Sequence, residues 1–192
     1  MLKRVLLPVL LGLPLASCVS FGADPPDQLL TLTPERTAVA GFATAGPATA
    51  ALAVAEPVTS QRLNVTRVPV QTSDSSLAYL KDAVWVERPA RLFQNLLAET
   101  IRASGNRLVV SQGDLGLNAL TQLSGELLDM GYDAVSGGVV VRYDAVLQQA
   151  DGQVRTRRFE SRVPAAAEVV PAAAALNQAA NDVARQVAEW VG

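Results

Sequence analysis

The sequence predicts an α+β domain, one mostly antiparallel sheet with two amphipathic helices packed on one of its faces. Three observations carry that prediction. Val139, Val141, Tyr143, Ala145 and Leu147 alternate with the more polar Val140, Arg142, Asp144, Val146 and Gln148, the period of a strand with one buried face. Ser136-Gly137-Gly138 before that stretch and Asp151-Gly152 after it are turn signals, so the segment is the middle of a three-stranded meander. Residues 89–105 and 169–191 repeat apolar side chains at helical spacing, and two such helices on one face of an antiparallel sheet make an α+β domain.

Taken along the chain, Leu29 to Thr33, LLTLT, is compact enough for a first strand. Pro34 to Thr49 is rich in Ala, Thr, Gly and Pro, has no period and reads as loop. Ala50 to Val58 resumes as a strand stopped by Pro57. Arg67–Gln71 and Leu77–Val86 are extended segments joined by the turn-rich TSDSS. Pro89 suits the first turn of a helix, where its missing N–H is no loss. Leu92, Phe93, Leu96, Leu97, Thr100 and Ile101 then share a face, and Gly105 is placed to end the run. Leu108 to Ser111 is a short strand. Ala119 to Met130 opens the meander, and its alternation fails around Gly125 to Leu128, which predicts a bulge or strong twist. The meander closes near Val163. In the tail, Val169 to Val191, the apolar stripe is Leu176, Ala180, Val183, Val187 and Trp190, starting near Pro171.

The N-terminus carries a different signal. Lys3 and Arg4 form a basic start, Val5 to Ala16 an apolar run, and small Ala16 and Ser17 precede Cys18, the single cysteine. This is the layout of a secretory signal. A bilayer core takes about 20 apolar residues as a helix, so the run, interrupted by Pro8 and Pro14, is too short for a good permanent span. Leu15-Ala16-Ser17-Cys18 resembles the bacterial lipobox, in which the cysteine is lipidated and becomes residue one. The expected organisation is a signal peptide at 1–17, the lipidated cysteine and a short polar linker at 18–28, and one domain at 29–192. Val19, a residue other than Asp after the cysteine, fits export to the periplasmic face of the outer membrane. Removing Lys3 and Arg4 from the 16 basic residues leaves 14 against 18 acidic ones, net −4, which argues against a nucleic-acid partner.

Little in the sequence points to catalysis. Without histidine, Ser-His-Asp and Cys-His mechanisms and the common zinc sites built on histidine are excluded. Gly41 to Gly46 has phosphate-loop spacing, but Pro47 and Ala48 stand where Lys and Ser/Thr must be. Glu126 and Asp129, three apart on a strand, fall on opposite faces unless the bulge reorients one, and are adequately explained as solvated charges. No catalytic residue, metal site or cofactor is expected. Two surface features are candidate contacts. Arg155, Arg157, Arg158 and Arg162 cluster on the last strand, either as a site for anionic headgroups or an acidic partner, or, the favoured alternative, as a charged edge that prevents strand pairing. Tyr79 and Trp85, six apart, are expected to point the same way on their strand, as core packing or as a binding platform.

The segments LLTLTP, AVAEPV, RVPVQTSDSSLAYLKDAVWVERPARLFQNLLAETIRASG, LSGELLDM, RRFESRVPA and ALNQAANDVARQVAEWV, in that order and spacing, resemble the ABC-type transport auxiliary lipoproteins, a family that includes the lipoprotein of the paraquat-inducible membrane-bridging system. The likeness runs from about Leu29 to Val191. Tyr79, Trp85 and Pro89 fall where the family has its Tyr-to-Trp strand and helix-opening proline, and Asn177 in its final helix; Gln61 to Asn64 departs, with Arg62 alone corresponding. The resemblance implies a non-enzymatic accessory protein whose partners are an ABC permease and ATPase and periplasmic MCE-domain subunits of an envelope lipid transporter, docked or tethered at the outer membrane through its lipid anchor. A homo-oligomer matching the symmetry of ring-shaped MCE assemblies is consistent with it. The alternative is a structural outer-membrane lipoprotein that stabilises an envelope assembly without a role in lipid transport.

Overall fold

The computed structural model describes residues 28–105, 107–111 and 120–192. In chain order its elements are β1 (Leu52–Val54), β2 (Val58–Thr59), β3 (Arg67–Ser73), β4 (Ser76–Val84), α1 (Pro89–Ala103), β5 (Val109–Ser111), β6 (Thr121–Asp133), β7 (Gly138–Gln148), β8 (Val154–Pro164) and α2 (Val169–Val191). Cys18, the predicted signal and the linker up to residue 27 lie outside the described residues.

The strands form one eight-stranded mixed sheet built around β6. One edge of β6 pairs antiparallel with β7, and β7 with β8, which is the predicted meander. Along its other edge β6 pairs parallel with β1, β2 and β3 in succession, through Leu52↔Thr121, Val58↔Glu126 and Val70↔Tyr132. β5 pairs outside β1, and β4 closes a hairpin outside β3. The long ladders are antiparallel. The parallel ones are short because the chain returns along 13-residue β6 in three pieces, interrupted at Pro57 and by the 3-10 turn Gln61–Leu63.

Both helices cover one face, as predicted, with α2 over β7 and β8 and α1 beside it over β1 and β5. Helix α1 starts at Pro89, and Gly105 (φ 76°) follows its end. Gln94, 5% exposed on α1, donates to Val54 O at 2.8 Å and so ties the helix to β1. The layer between holds Phe93, Leu96, Leu97 and Ile101 from α1, Leu176, Val183 and Val187 from α2, and Leu123, Leu127, Val141 and Tyr143 from the sheet. Full burial of each such side chain contributes about 1.5–3 kcal/mol. Tyr143 meets Phe93 edge-on at 5.3 Å, and its hydroxyl donates to Ser124 O at 2.7 Å. Burial pushes the Tyr143 phenol up, so it stays a donor across the physiological range.

Three local expectations are corrected. Leu29 to Thr33 is not a regular strand. It makes a single parallel bridge, Leu30↔Trp85, and continues as an extended strap over the helices, because its next partners are side chains of α2 rather than another backbone. Ala50 to Val58 is split into β1 and β2. Tyr79 and Trp85 do not point the same way. Tyr79 lies opposite Pro69 and Val84 opposite Arg67, so five residues of β4 span two of β3. Asp82, in the left-handed region at φ 59°, sits inside that bulge and resets the alternation. Trp85 is therefore 2% exposed in the core, whereas Tyr79 stays half-buried with the Arg67 guanidinium 4.0 Å from its ring centroid.

Candidate functional site

Two polar constructions stand out from the apolar frame. The first is on the sheet face that carries no helix. The predicted break in β6 is a bulge: Leu127 pairs with Tyr143 and Asp129 with Arg142, leaving Leu128 out of the ladder. The extra residue shifts parity, so Glu126 and Asp129 share the helix-free face after all. Asp129 is not poised for acid–base work there. One of its oxygens is bound by Arg62, and the other accepts from Arg142 Nη1 at 2.6 Å. Arg62 also donates to the carbonyl of the bulged Leu128 at 2.6 Å, which fastens the Gln61–Leu63 turn to the bulge.

From Asp129 the ion pairs continue across three strands. Arg142 binds Glu160, Glu160 accepts from Arg162 Nε at 2.6 Å, and Arg162 reaches Asp133 at 3.5 Å. Arg158 grips Asp144 with both oxygens at 2.6 Å. The ladder holds one side of an open cavity of about 370 Å³ bordered by Arg62, Gln71, Asp129, Arg142 and Arg162. Exposed pairs contribute little singly, typically 0–1 kcal/mol, but a half-buried network clamps three strands in one register. The carboxylates carry its signature. The Ser136 hydroxyl lowers Asp133 and the Arg158 guanidinium lowers Asp144. Partial burial would raise Glu160, but hydrogen bonds from Arg142 and Arg162 outweigh it and lower its carboxyl too.

Because these folded values lie below the unfolded ones, their stabilisation is fully present above about pH 4 and is lost as pH falls through the folded values. We therefore expect an unchanged melting temperature from pH 7 to 5 as far as these groups are concerned, and a fall below pH 4 that Glu160→Gln makes shallower. Thermal melts across that range, wild type against variant, check it.

The second construction is the strap. Thr33 N donates to Asn177 Oδ1 at 2.8 Å and Glu35 N to Asn181 Oδ1 at 2.9 Å, while Asn181 Nδ2 donates back to Thr33 O at 2.9 Å. Further on, Ala38 N donates to Glu99 Oε1 of α1 at 2.8 Å, so the strap crosses both helices. Leu30 and Leu32 are buried beneath it. The two asparagines supply the partners that a neighbouring strand would otherwise give. Asn181 is 4% exposed, and its loss removes the partners of the part-buried Thr33 O and Glu35 N, at about 0.5–1.5 kcal/mol for each bond. Asn181→Ala should lower stability by that order and expose the chain near residues 34–46 to protease before the rest; urea unfolding and timed proteolysis read both. The sequence signal, overlooked at position 181, is a pair of asparagines one helical turn apart in an alanine-rich stripe.

The four arginines of the last strand are divided between the two faces. Arg158 and Arg162 belong to the ion-pair ladder, whereas Arg155 and Arg157 lie on the helix side, each 5.0 Å from an aromatic centroid, Trp190 and Phe159 respectively. No group of three metal-ligating side chains assembles among the described residues.

In both constructions the polar groups join the protein's own segments on a two-helix, one-sheet frame. The chain belongs to the ABC-type transport auxiliary lipoprotein component family, whose model matches residues 30–188. The class it falls in is that of auxiliary lipoproteins, not a class of enzymes. Among solved structures it is similar to protein XCC0632 from Xanthomonas campestris, at TM-score 0.67 and 19% identity over 86% of this chain and 92% of that one. It is similar also to an uncharacterized protein, at TM-score 0.65 and 19% identity over 76% and 95%. At such identity the likeness shows the shared fold. No functionally curated protein is similar enough to match.

Proposed function

We propose that this protein is a lipid-anchored periplasmic accessory subunit of an ABC/MCE-type lipid transporter, which docks or tethers the transporter at the inner face of the outer membrane and performs no turnover itself. The observation that carries this reading is the family match from residue 30 to 188, entered directly from the Cys18 lipobox and its short linker. The strap supports it. Residues leading from the anchor are latched across both helices, so a load on the tether is delivered to the domain core instead of to a free end. No helix among the described residues is long and apolar enough to cross a membrane, and in this reading the acyl chains on Cys18 make the attachment.

The test is purification from the native envelope in mild detergent with Cys18 intact. Recovery of MCE-domain and ABC transporter subunits is the expected result. Recovery of only outer-membrane or peptidoglycan-associated proteins would replace this reading with that of a structural lipoprotein.

A further inference from the structure

Among the described residues no strand pairs with the outer edge of β8. Its 11 residues pair with β7 without a break in register, and Val154 to Arg158 are exposed on both faces. The hydrogen bonds at the two ends of the hairpin set the phase of the ladder. Gln149 N donates to Gln153 O, and Ala165 N to Gly137 O. In an antiparallel pair bonded and non-bonded positions alternate, so the odd-numbered residues of β8 bond to β7. The even-numbered Val154, Thr156, Arg158 and Glu160 aim their N–H and C=O groups at the open edge.

The charges on this edge are of two kinds. Arg158 and Arg162 are taken by carboxylates of the helix-free face. Arg155 and Arg157 make no ion pair among the described residues. They rest on a connected aromatic pair, Arg155 on Trp190, Trp190 edge-on to Phe159 at 5.6 Å, and Phe159 under Arg157. Stacking holds both guanidinium groups with their hydrogen-bonding rims unspent, on one face and about 7 Å apart along the strand. A charged edge is commonly protective, but protection requires only charge, not two guanidinium groups stacked beside a regular, unbulged edge.

We infer that β8 is a docking edge for an extended segment of a partner protein carrying carboxylates at alternate positions, which adds to the sheet as a further strand and pairs its acids with Arg155 and Arg157. Main-chain bonds from the even-numbered residues supply the attachment, and the arginines select the sequence. A second copy of β8 is an unsuitable occupant, because it would set arginine against arginine. The partner is the one expected of an accessory subunit, so in the cell the inference rests on that reading. A peptide titration does not depend on which proteins co-purify, and the two can fail separately.

The experiment is fluorescence anisotropy of a labelled short peptide alternating glutamate with valine and threonine, titrated with the detergent-solubilised protein with Cys18 intact. Saturable binding is expected, weakened roughly tenfold or more by the paired change Arg155→Glu and Arg157→Glu. Thr156→Pro deletes one edge-facing N–H and touches no β7 bond, so it should weaken binding as much while leaving the melt unchanged. Val154→Pro, at an exposed strand start, repeats the test should Thr156→Pro fold poorly. Binding that survives both prolines would reduce the edge to simple charge attraction and overturn strand addition. So would arginine-dependent binding of short-chain phosphatidylglycerol without peptide binding, which would make this a membrane contact, and so would no binding at all.

Discussion

Gly125→Ala is expected to be the most damaging single-methyl change in the domain. Gly125 has φ 149°, a conformation open to glycine and strained for alanine, and an added Cβ would lie 2.0 Å from Asp144 O and 3.0 Å from Tyr143 Cε2. Neither neighbour can retreat. The carbonyl belongs to β7, the strand that joins the two halves of the meander, and the Tyr143 ring is wedged against Phe93 with its hydroxyl bound at Ser124. Relief requires opening the β6–β7 ladder beside the bulge, which also carries Asp129 and its two arginines. A cost on the order of 3–5 kcal/mol follows for such a backbone clash, a large share of the 5–15 kcal/mol typical of a whole domain. The measurable result is a melting temperature lower by roughly 10 °C, or no soluble domain. Gly46→Ala is the control: nothing lies within 4 Å of its Cβ position, and the melt should not move downward.

Cys18→Ala should abolish membrane attachment and envelope function while leaving the fold untouched. Each buried methylene of an acyl chain contributes about 0.8 kcal/mol, so the two or three chains of a processed lipobox make release from the membrane negligible, and their absence makes retention negligible. Among the described residues the first backbone bridge is Leu30 to Trp85, so a proposed tether from Cys18 would span at most about 40 Å when fully extended. That reach keeps the domain within one molecular diameter of the lipid surface. Fractionation of cells should move the protein out of the membrane pellet, with an unchanged melt for the domain. Exporting residues 19–192 behind a signal without a cysteine tests the same point. Full function from that soluble form would sink the tether reading.

The elements whose residues touch neighbours close in sequence were legible beforehand. Pro89 and Gly105 bracket α1 because a proline without an N–H and a glycine with positive φ act on their own turn. The meander follows from alternation and two turns, and even the bulge at Leu128 shows as a lost period. Cys18 and its flanks carry the lipobox pattern behind the proposed anchor, a linear signal that needs no fold to be read. Where long-range partners choose the outcome, the same reasoning fell short. Leu29 to Thr33 has the composition of a strand, yet its partners are Asn177 and Asn181, more than 140 residues away. Tyr79 and Trp85 have strand parity, yet the register of β4 on β3 turns one outward. The run of four arginines is one feature in sequence and two in space, because the pleat of β8 sends neighbours to opposite faces, where Asp144 and Glu160 wait on one side and Trp190 and Phe159 on the other. The sequence by itself determined the helices, the meander and the absence of histidine chemistry, all set by local backbone preferences or by composition, and the proposed address is read from it alone. The tertiary structure alone decided that β6 is central with parallel partners, that the strap is latched by asparagines, and which arginines remain unspent, because each depends on a partner supplied by a distant part of the chain.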